Sequence, residues 1–224
     1  SDLTLVTSLG SVMLPRVAHL LATGDHKGVN KMHEMSFLIY NLVIFPMMAG
    51  ILIVNDDFVQ FFLGQDFQDA RYAIAIMIFR MFFIGWTNIM GIQILIPHNR
   101  NKEFMISTTA PAIISVGLNL LFLPKLGYIG AAIVSVLTEA LVWAIQLYFT
   151  RRYLKEVPII GSMTKIILAS AIMYGILLGS KTVIHFSPTL NVLVFAVLGG
   201  IIYLFAILSL KVVDVKELKQ FIKK

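Results

Sequence analysis

Two ionisable residues, Arg80 and Glu139, lie in the middle of apolar runs that are long enough to cross a bilayer. A charged side chain at the bilayer centre costs about 2.5–3.5 kcal/mol on insertion scales, so it usually faces protein, a ligand or water. An arginine offers a planar, permanently charged group to a phosphate or a carboxylate. A carboxylate in the same place offers a proton- or cation-coupling group. The two residues therefore predict a polar cavity between helices.

Further polar residues follow the same helix faces. At 100° per residue, Arg80, Thr87 and Gly91 lie within about 20° of one line on the first helix. On the second helix, Glu139 and Gln146 lie within about 40° of each other. The candidate substrate-binding or cavity residues are Arg80, Thr87, Asn88, Glu139 and Gln146.

Both charged residues also have structural interpretations. Arg80 lies about 12 Å from the outer end of its helix, at 1.5 Å per residue, so its side chain could snorkel outward. Glu139 could make a structural hydrogen bond, or it could be the counter-ion of Arg80, because the two residues sit at similar depths. The sequence leaves the cavity role and the structural pair open.

The composition is that of an integral membrane protein. Of 224 residues, 58% are hydrophobic and 13% are charged, and the mean hydropathy is +0.86. A soluble domain carries about 25% charged residues. Because the chain has no cysteine, disulfides, thiolate catalysis and cysteine-ligated zinc are excluded. The five histidines have no metal-binding spacing and no nucleotide or hydrolase motif occurs, so no cofactor or metal is predicted.

The apolar runs predict an all-α, polytopic bundle of transmembrane helices. A spanning helix needs about 20 mainly apolar residues. Six runs qualify, at about 35–54, 73–96, 105–123, 128–149, 163–180 and 190–210. Residues 3–21 form a seventh run, which is interrupted by Pro15 and Arg16. The segment 56–71 is predicted to be a short amphipathic interfacial helix, and 124–127 a tight hairpin.

The basic residues alternate from loop to loop, which predicts the orientation. Lysine and arginine gather in the loops 22–34, 97–104 and 150–165 and in the C-terminal tail, and these are predicted to be cytoplasmic. The opposite loops gather aspartates. The net charge of +6 is therefore a topology signal, with a weak attraction to anionic lipid headgroups, and does not indicate nucleic-acid binding.

Three segments resemble a known transporter family. Ser8-Leu-Gly-Ser-Val-Met-Leu-Pro-Arg-Val-Ala-His-Leu-Leu-Ala-Thr-Gly-Asp25 is similar to a helix end and Gly-Asp loop of Wzx-type polysaccharide flippases. These belong to the multidrug/oligosaccharidyl-lipid/polysaccharide exporter superfamily. Asn88-Ile-Met-Gly-Ile-Gln-Ile-Leu-Ile-Pro97 and Gly127-Tyr-Ile-Gly-Ala-Ala132 are also similar, in the same order and topology. The resemblance covers residues from about 8 to 150.

The resemblance implies a domain organisation. Residues 1–150 would be most of the second six-helix lobe of the exporter, with the first helix truncated. Residues 151–210 would be two additional C-terminal helices, and 211–224 a basic cytoplasmic tail. The first lobe would be a missing N-terminal part of the same protein.

The resemblance also implies a transporter and not an enzyme. The expected function is the flipping of undecaprenyl-diphosphate-linked oligosaccharide from the inner to the outer leaflet of a bacterial inner membrane. The partners would then be this lipid-linked substrate and membrane lipids. The alternatives are a drug or lipid II exporter of the same superfamily, or a membrane enzyme of polysaccharide assembly.

Overall fold

A computed structural model describes residues 13–182 and 186–212. Within these ranges all regular secondary structure is helical. The N-terminal part of the predicted 3–21 run, His185 and most of the predicted basic tail lie outside the described residues. The helices are α1 (13–22), α2 (His26–Phe62), α3 (Ala70–Asn88, continued by a π-helix over Ile89–Leu95), α4 (Asn101–Leu154), α5 (Ile159–Lys181) and α6 (Pro188–Ser209).

The predicted all-α polytopic bundle is confirmed. Five of the described helices, α2 to α6, are long and apolar enough to cross a membrane. The longest, α4, is broken at Gly127, whose φ of 54° and ψ of −136° lie in a region that residues with a side chain rarely adopt. A hydrogen bond between Gln146 and Ser107 shows that the two arms of α4 run antiparallel. These arms and the other four helices correspond to the six predicted runs.

The N-terminal half of α2 corrects one prediction. Most of the predicted loop 22–34 is helical, and only residues 23–25 separate α1 from α2. Gly24 makes the turn with a φ of 72°, and the Asp25 carboxylate accepts a hydrogen bond of 2.9 Å from the Gly28 amide. An aspartate in this place caps the first helical turn, so α2 begins before its apolar run.

The predicted amphipathic helix over 56–71 was wrong. Helix α2 continues to Phe62, a 3₁₀ turn follows at Gln65–Phe67, and α3 begins at Ala70. The helix tolerates its two aspartates because Asp56 pairs with Arg71 at 3.3 Å and Asp57 pairs with Lys181 at 3.4 Å.

The chain forms two compact units. One contains Ser1–Tyr40 and Tyr72–Ile159, and the other contains Asn41–Arg71 and Ile160–Lys224. Helix α2 therefore contributes to both units. The division predicted in sequence, at residues 150 and 210, stays a prediction.

In the first unit, α2 and α3 approach closely at one glycine. A Cβ atom on Gly85 would lie 1.8 Å from the Tyr40 ring, so only glycine fits there. The Tyr40 hydroxyl donates a hydrogen bond to the Met81 carbonyl, and the rings of Phe37 and Trp86 are 4.7 Å apart. These contacts position α3, which carries Arg80.

In the second unit, polar contacts join three helices at one end. The Lys181 ammonium at the end of α5 donates to the Ile53 carbonyl of α2 at 2.7 Å. The Asn191 amide of α6 donates to the Asp57 carboxylate of α2 at 2.9 Å. Because each helix is bonded to α2, these contacts hold α5 and α6 beside it.

Candidate functional site

The two charged residues of the apolar helices form an ion pair. Arg80 Nη2 on α3 lies 3.1 Å from Glu139 Oε1 on the second arm of α4. Their side chains are 38% and 21% exposed, so both are half-buried. The pair uses one carboxylate oxygen, and Arg80 Nε is buried without a hydrogen-bond partner within the described residues. Glu139 therefore satisfies only part of the guanidinium group, which keeps donors for another anion.

An aromatic cluster fixes the helices that carry this pair. Trp143 lies one helical turn from Glu139, and its ring centroid is 6.3 Å from that of Trp86 and 5.8 Å from that of Phe83. Phe82 is 5.3 Å from Trp86 and 6.4 Å from Trp143. Offset and edge-to-face contacts of this kind stabilise by about 0.5–1.5 kcal/mol each beyond area burial. The sequence reasoning missed this cluster, although Phe82 and Trp86 are spaced by one turn on a single helix.

Thr87 and Asn88 extend the polar face of α3 beyond the aromatic cluster. Thr87 Oγ1 donates to the Ile84 carbonyl of its own helix at 2.9 Å. Asn88 Oδ1 is buried and accepts no hydrogen bond in the part of the chain that the structure describes. Thr87 is thus satisfied locally, whereas the Asn88 side chain keeps an unused acceptor.

Gln146 lies inside helix packing. It is 1% exposed, and its Nε2 donates to Ser107 Oγ at 3.2 Å. Gly91 faces the same contact, because a Cβ atom there would lie 2.6 Å from Phe104 and 3.1 Å from Gln146. The polar stripe on α3 is therefore packed against α4 at this end. The predicted cavity role of Gln146 stays a prediction.

The π-helix at the end of α3 places a second set of polar contacts. Ser36 Oγ of α2 donates to Gln93 Oε1 at 2.7 Å, and His33 Nε2 lies 3.2 Å from the Gln93 carbonyl. Gln93 therefore makes hydrogen bonds between helices. No pattern in the sequence predicts the π-helix itself, a feature frequent at functional sites.

The second unit contains an apolar groove of about 560 Å³ between α2, α5 and α6. Every lining residue except Tyr203 is apolar, and the Tyr203 hydroxyl donates to the Leu42 carbonyl at 2.9 Å. A Cβ atom on the lining glycines Gly50 or Gly200 would meet no other atom within 4 Å. The groove is therefore open and presents hydrocarbon. The lining includes Leu42, Val43, Pro46, Gly50, Val54, Phe58, Met173, Phe195, Gly199, Gly200 and Tyr203.

The described residues contain no cluster of three or more histidine or acidic side chains that could hold a metal ion. The polar chemistry of the described site therefore consists of one arginine, one carboxylate and several amide and hydroxyl groups.

Comparison with known proteins gives a consistent result. A family model described as the lipid II flippase MurJ matches residues 4–217. A membrane protein of Methanocaldococcus jannaschii is 25% identical over 217 residues, which cover 97% of this chain and 42% of that protein. A protein of Escherichia coli named as an O-antigen transporter is 27% identical over 66% of this chain and 35% of its own length.

A third relative is named as a low-salt glycan biosynthesis flippase of Haloferax volcanii. It is 20% identical over 88% of this chain and 41% of that protein. The chain spans about two fifths of the length of these curated relatives. The matches confirm the predicted superfamily of flippases for polysaccharides and lipid-linked substrates.

Proposed function

The chain belongs to the MurJ family of lipid II flippases, and from that premise we propose that the whole protein flips a polyprenyl-diphosphate-linked oligosaccharide from the inner to the outer leaflet. The chain is a multi-pass membrane protein, and its family and named relatives are transporters and not enzymes. Under the proposal, the chain supplies helices of the second lobe, and the rest of the protein supplies the first.

The observation that carries this proposal is the half-satisfied arginine in an apolar part of the first unit. A diphosphate headgroup needs a cation where little water competes, and arginine matches phosphate with its planar fork of donors. Glu139 occupies one donor of Arg80 at 3.1 Å. We propose that the diphosphate displaces Glu139 from Arg80, and that Glu139 returns when the headgroup leaves.

The exchange has a physical advantage over an unpaired arginine. A lone charge in the apolar region would be costly in the empty transporter, whereas the Glu139 carboxylate compensates it. Because both the resting pair and the substrate-bound state satisfy Arg80, the headgroup can be released again.

The apolar groove of the second unit supports a lipid-linked substrate independently. Among the described residues, no charged side chain lines it, and its 560 Å³ provides room for part of a hydrocarbon chain. Because lipid tails are as apolar as the groove, a bound chain would be favoured by van der Waals packing against the lining and not by removal from water.

The experiment is the substitution Arg80→Gln in the full-length protein, with surface polysaccharide measured at equal expression. We expect export to fall by about 10- to 100-fold, because a hydrogen bond to a charged group contributes about 1.5–3 kcal/mol. The control is Arg71→Gln, since Arg71 pairs with Asp56 at an exposed helix end. Normal export by Arg80→Gln would remove Arg80 from the mechanism.

Lipid II transport is the second candidate function, and the description of the matching family favours it. The two substrates share the polyprenyl-diphosphate chemistry, so Arg80 and the groove suit both. Depletion of the protein in its own host distinguishes them. Accumulated oligosaccharide precursor on the inner leaflet would support the first candidate, and accumulated lipid II the second.

The cell membrane of the host is the proposed location. The relatives come from a bacterium and from archaea. The proposed substrates are therefore polyprenyl diphosphates as a class, and in a bacterial inner membrane the substrate would carry undecaprenyl diphosphate.

A further inference from the structure

A basic recess lies in the first unit where the two ends of α4 meet. Its volume is about 530 Å³, and it is lined by Arg100, Tyr148, Phe149, Arg151, Arg152 and Lys155. We propose that this basic recess binds the phosphate group of an anionic membrane phospholipid. This site is separate from Arg80 and from the apolar groove, and it does not depend on the flipping function.

The break at Gly127 brings these cations together. Because the arms of α4 run antiparallel, Arg100 at the start of the helix reaches the same end as Arg152 in its last turn. Arginines in a last turn also stabilise the helix dipole. The helix dipole does not explain Arg100, which lies at the opposite end of the helix and lines the same recess.

The cations of the recess are poorly neutralised by carboxylates. Arg100 pairs with Glu103, and Glu156 accepts a hydrogen bond from Asn30 at 2.9 Å. Within the described ranges, no carboxylate lies in ion-pair contact with Arg151, Arg152 or Lys155. Hydrogen bonds from its own backbone and from Arg100 lower the pKa of the Glu103 carboxyl, and the nearby charge of Arg152 lowers that pKa further. Arg151 and Lys155 are therefore the positive charges most available to an added anion.

Aromatic rings hold two of the arginines in place. The guanidinium carbon of Arg151 lies 4.4 Å from the centroid of the Tyr148 ring, and that of Arg152 lies 4.5 Å from the centroid of Tyr153. A cation over an aromatic face is attracted by about 0.5–1 kcal/mol at exposed sites. The stacking orients Arg151 without using its hydrogen-bond donors, whereas Arg152 also donates one hydrogen bond to the Tyr153 hydroxyl. The remaining N–H groups are donors of the kind that a phosphate requires.

The position of the recess favours a lipid over a free anion. Each arm of α4 is long enough to cross the hydrocarbon core. The ends of the arms that are remote from Gly127, where Arg100 and Arg152 meet, therefore lie at the level of the headgroups. Tyr148 is 59% exposed there, and tyrosine is enriched at membrane–water interfaces. Basic pockets at the ends of membrane helices on the cytoplasmic side bind anionic headgroups. The alternating loop charges predict that this end is cytoplasmic.

The test is lipid binding to the full-length protein in neutral detergent, measured by native mass spectrometry. The probes are phosphatidylglycerol and phosphatidylcholine, each added alone and with excess inorganic phosphate. We expect preferential retention of phosphatidylglycerol that excess phosphate does not abolish. Arg151→Gln/Arg152→Gln should weaken retention of phosphatidylglycerol by about 30-fold, since each basic residue near a membrane surface contributes about 1 kcal/mol.

Lys102→Gln is the matched control, because Lys102 is exposed at the same end of α4 and does not line the recess. An equal loss in this variant would show general surface attraction and overturn the proposal. Equal retention of both lipids, or displacement by inorganic phosphate, would overturn it as well. Should the double variant fold poorly, Lys155→Gln serves instead, because Lys155 is exposed, and it should weaken retention by about fivefold.

Discussion

The ion pair of the first unit and the apolar groove of the second unit differ in the kind of group that each presents, although both are built from apolar helices. Arg80 and Glu139 place opposite charges 3.1 Å apart on helices that are otherwise apolar. In the part of the chain that the structure describes, the groove between α2, α5 and α6 is lined by no charged residue, and the phenol of Tyr203 donates to a backbone carbonyl. One region is thus suited to an anion, and the other to a hydrocarbon chain.

The difference between the two regions lies in what each leaves unsatisfied. On α3 of the first unit, Arg80 Nε and Asn88 Oδ1 are two of the buried polar atoms that have no hydrogen-bond partner in the described part of the chain. In the second unit it is apolar surface that is left open, beside glycines such as Gly200. A substrate with a phosphorylated head and a long hydrocarbon tail carries groups that match each deficit. This complementarity is the physical basis of the proposed function.

The largest expected effect comes from reversing the charge of Arg80. Arg80→Glu places two carboxylates together, and we expect the free energy of unfolding to fall by about 2 kcal/mol, less than for a fully buried pair. The reversed double variant Arg80→Glu/Glu139→Arg restores the pair and should recover stability. Thermal unfolding and export are measured on both variants. Full recovery of export in the reversed pair would show that the ion pair is only structural.

The next largest effect tests the groove. Gly200→Leu introduces a side chain into its open space, where we expect it to remove about ten packing contacts of about 0.1–0.2 kcal/mol each from a bound chain and lower transport about tenfold. The measurement is the initial rate of flipping of a labelled polyprenyl diphosphate in proteoliposomes.

Gly175→Leu is the matched control for the groove. Gly175 is also an exposed glycine within a membrane helix, with no atom within 4 Å of an added Cβ, and it does not line the groove. Equal loss of transport in both leucine variants would show that the groove has no special role.

A smaller effect tests the backbone turn at Gly127, which begins the arm of α4 that carries Glu139. In Gly127→Ala, a residue with a side chain must adopt a backbone φ of 54°, which should lower the free energy of unfolding by about 1 kcal/mol. Thermal unfolding of the full-length protein measures it against Gly117→Ala, a helical glycine with open space around its Cβ position. A Gly127→Ala variant as stable as Gly117→Ala would contradict the strained turn.

The smallest effect is a pH dependence at the end of the first unit. Burial lowers the pKa of His98 below its ordinary 6.5, and the nearby charges of Arg152 and His26 lower the pKa further. The folded protein therefore favours neutral His98, whose ring packs 4.0 Å from Tyr153. This contribution to stability is present above about pH 6.5 and is lost as the pH falls. Melting temperatures should fall less on acidification in His98→Asn than in the parent, and an identical pH profile would contradict the burial of His98.

The helical class and most spans followed from the apolar runs, because a bilayer imposes length and composition on a helix. The ion pair was foreseen only as an alternative, since helix periodicity gives a face and a depth but no partner. The start of α2 was mispredicted because Asp25 and Gly24 set it, and not hydrophobicity. The segment 56–71 was mispredicted because its aspartates are neutralised by partners that helix periodicity does not reveal. Arg71 follows a turn, and Lys181 is remote in sequence.

The groove could not be predicted from the sequence. It depends on α2 lying beside α6, and no local pattern reports that proximity. The same is true of the basic recess, in which Arg100 and Arg152 are distant in sequence. The Gly127 hairpin was predicted, but its consequence for the charges at the ends of α4 requires the antiparallel arms seen in the structure.

The most direct measurement compares the binding of a polyprenyl diphosphate and of the uncharged polyprenol to the full-length protein. The parent should prefer the diphosphate. Arg80→Gln should abolish that preference and leave polyprenol binding unchanged, whereas Gly200→Leu should weaken both ligands equally and keep the preference. Retention of the diphosphate preference by Arg80→Gln, or unchanged polyprenol binding by Gly200→Leu, would contradict the assignment of the anion to the first unit and the hydrocarbon chain to the second.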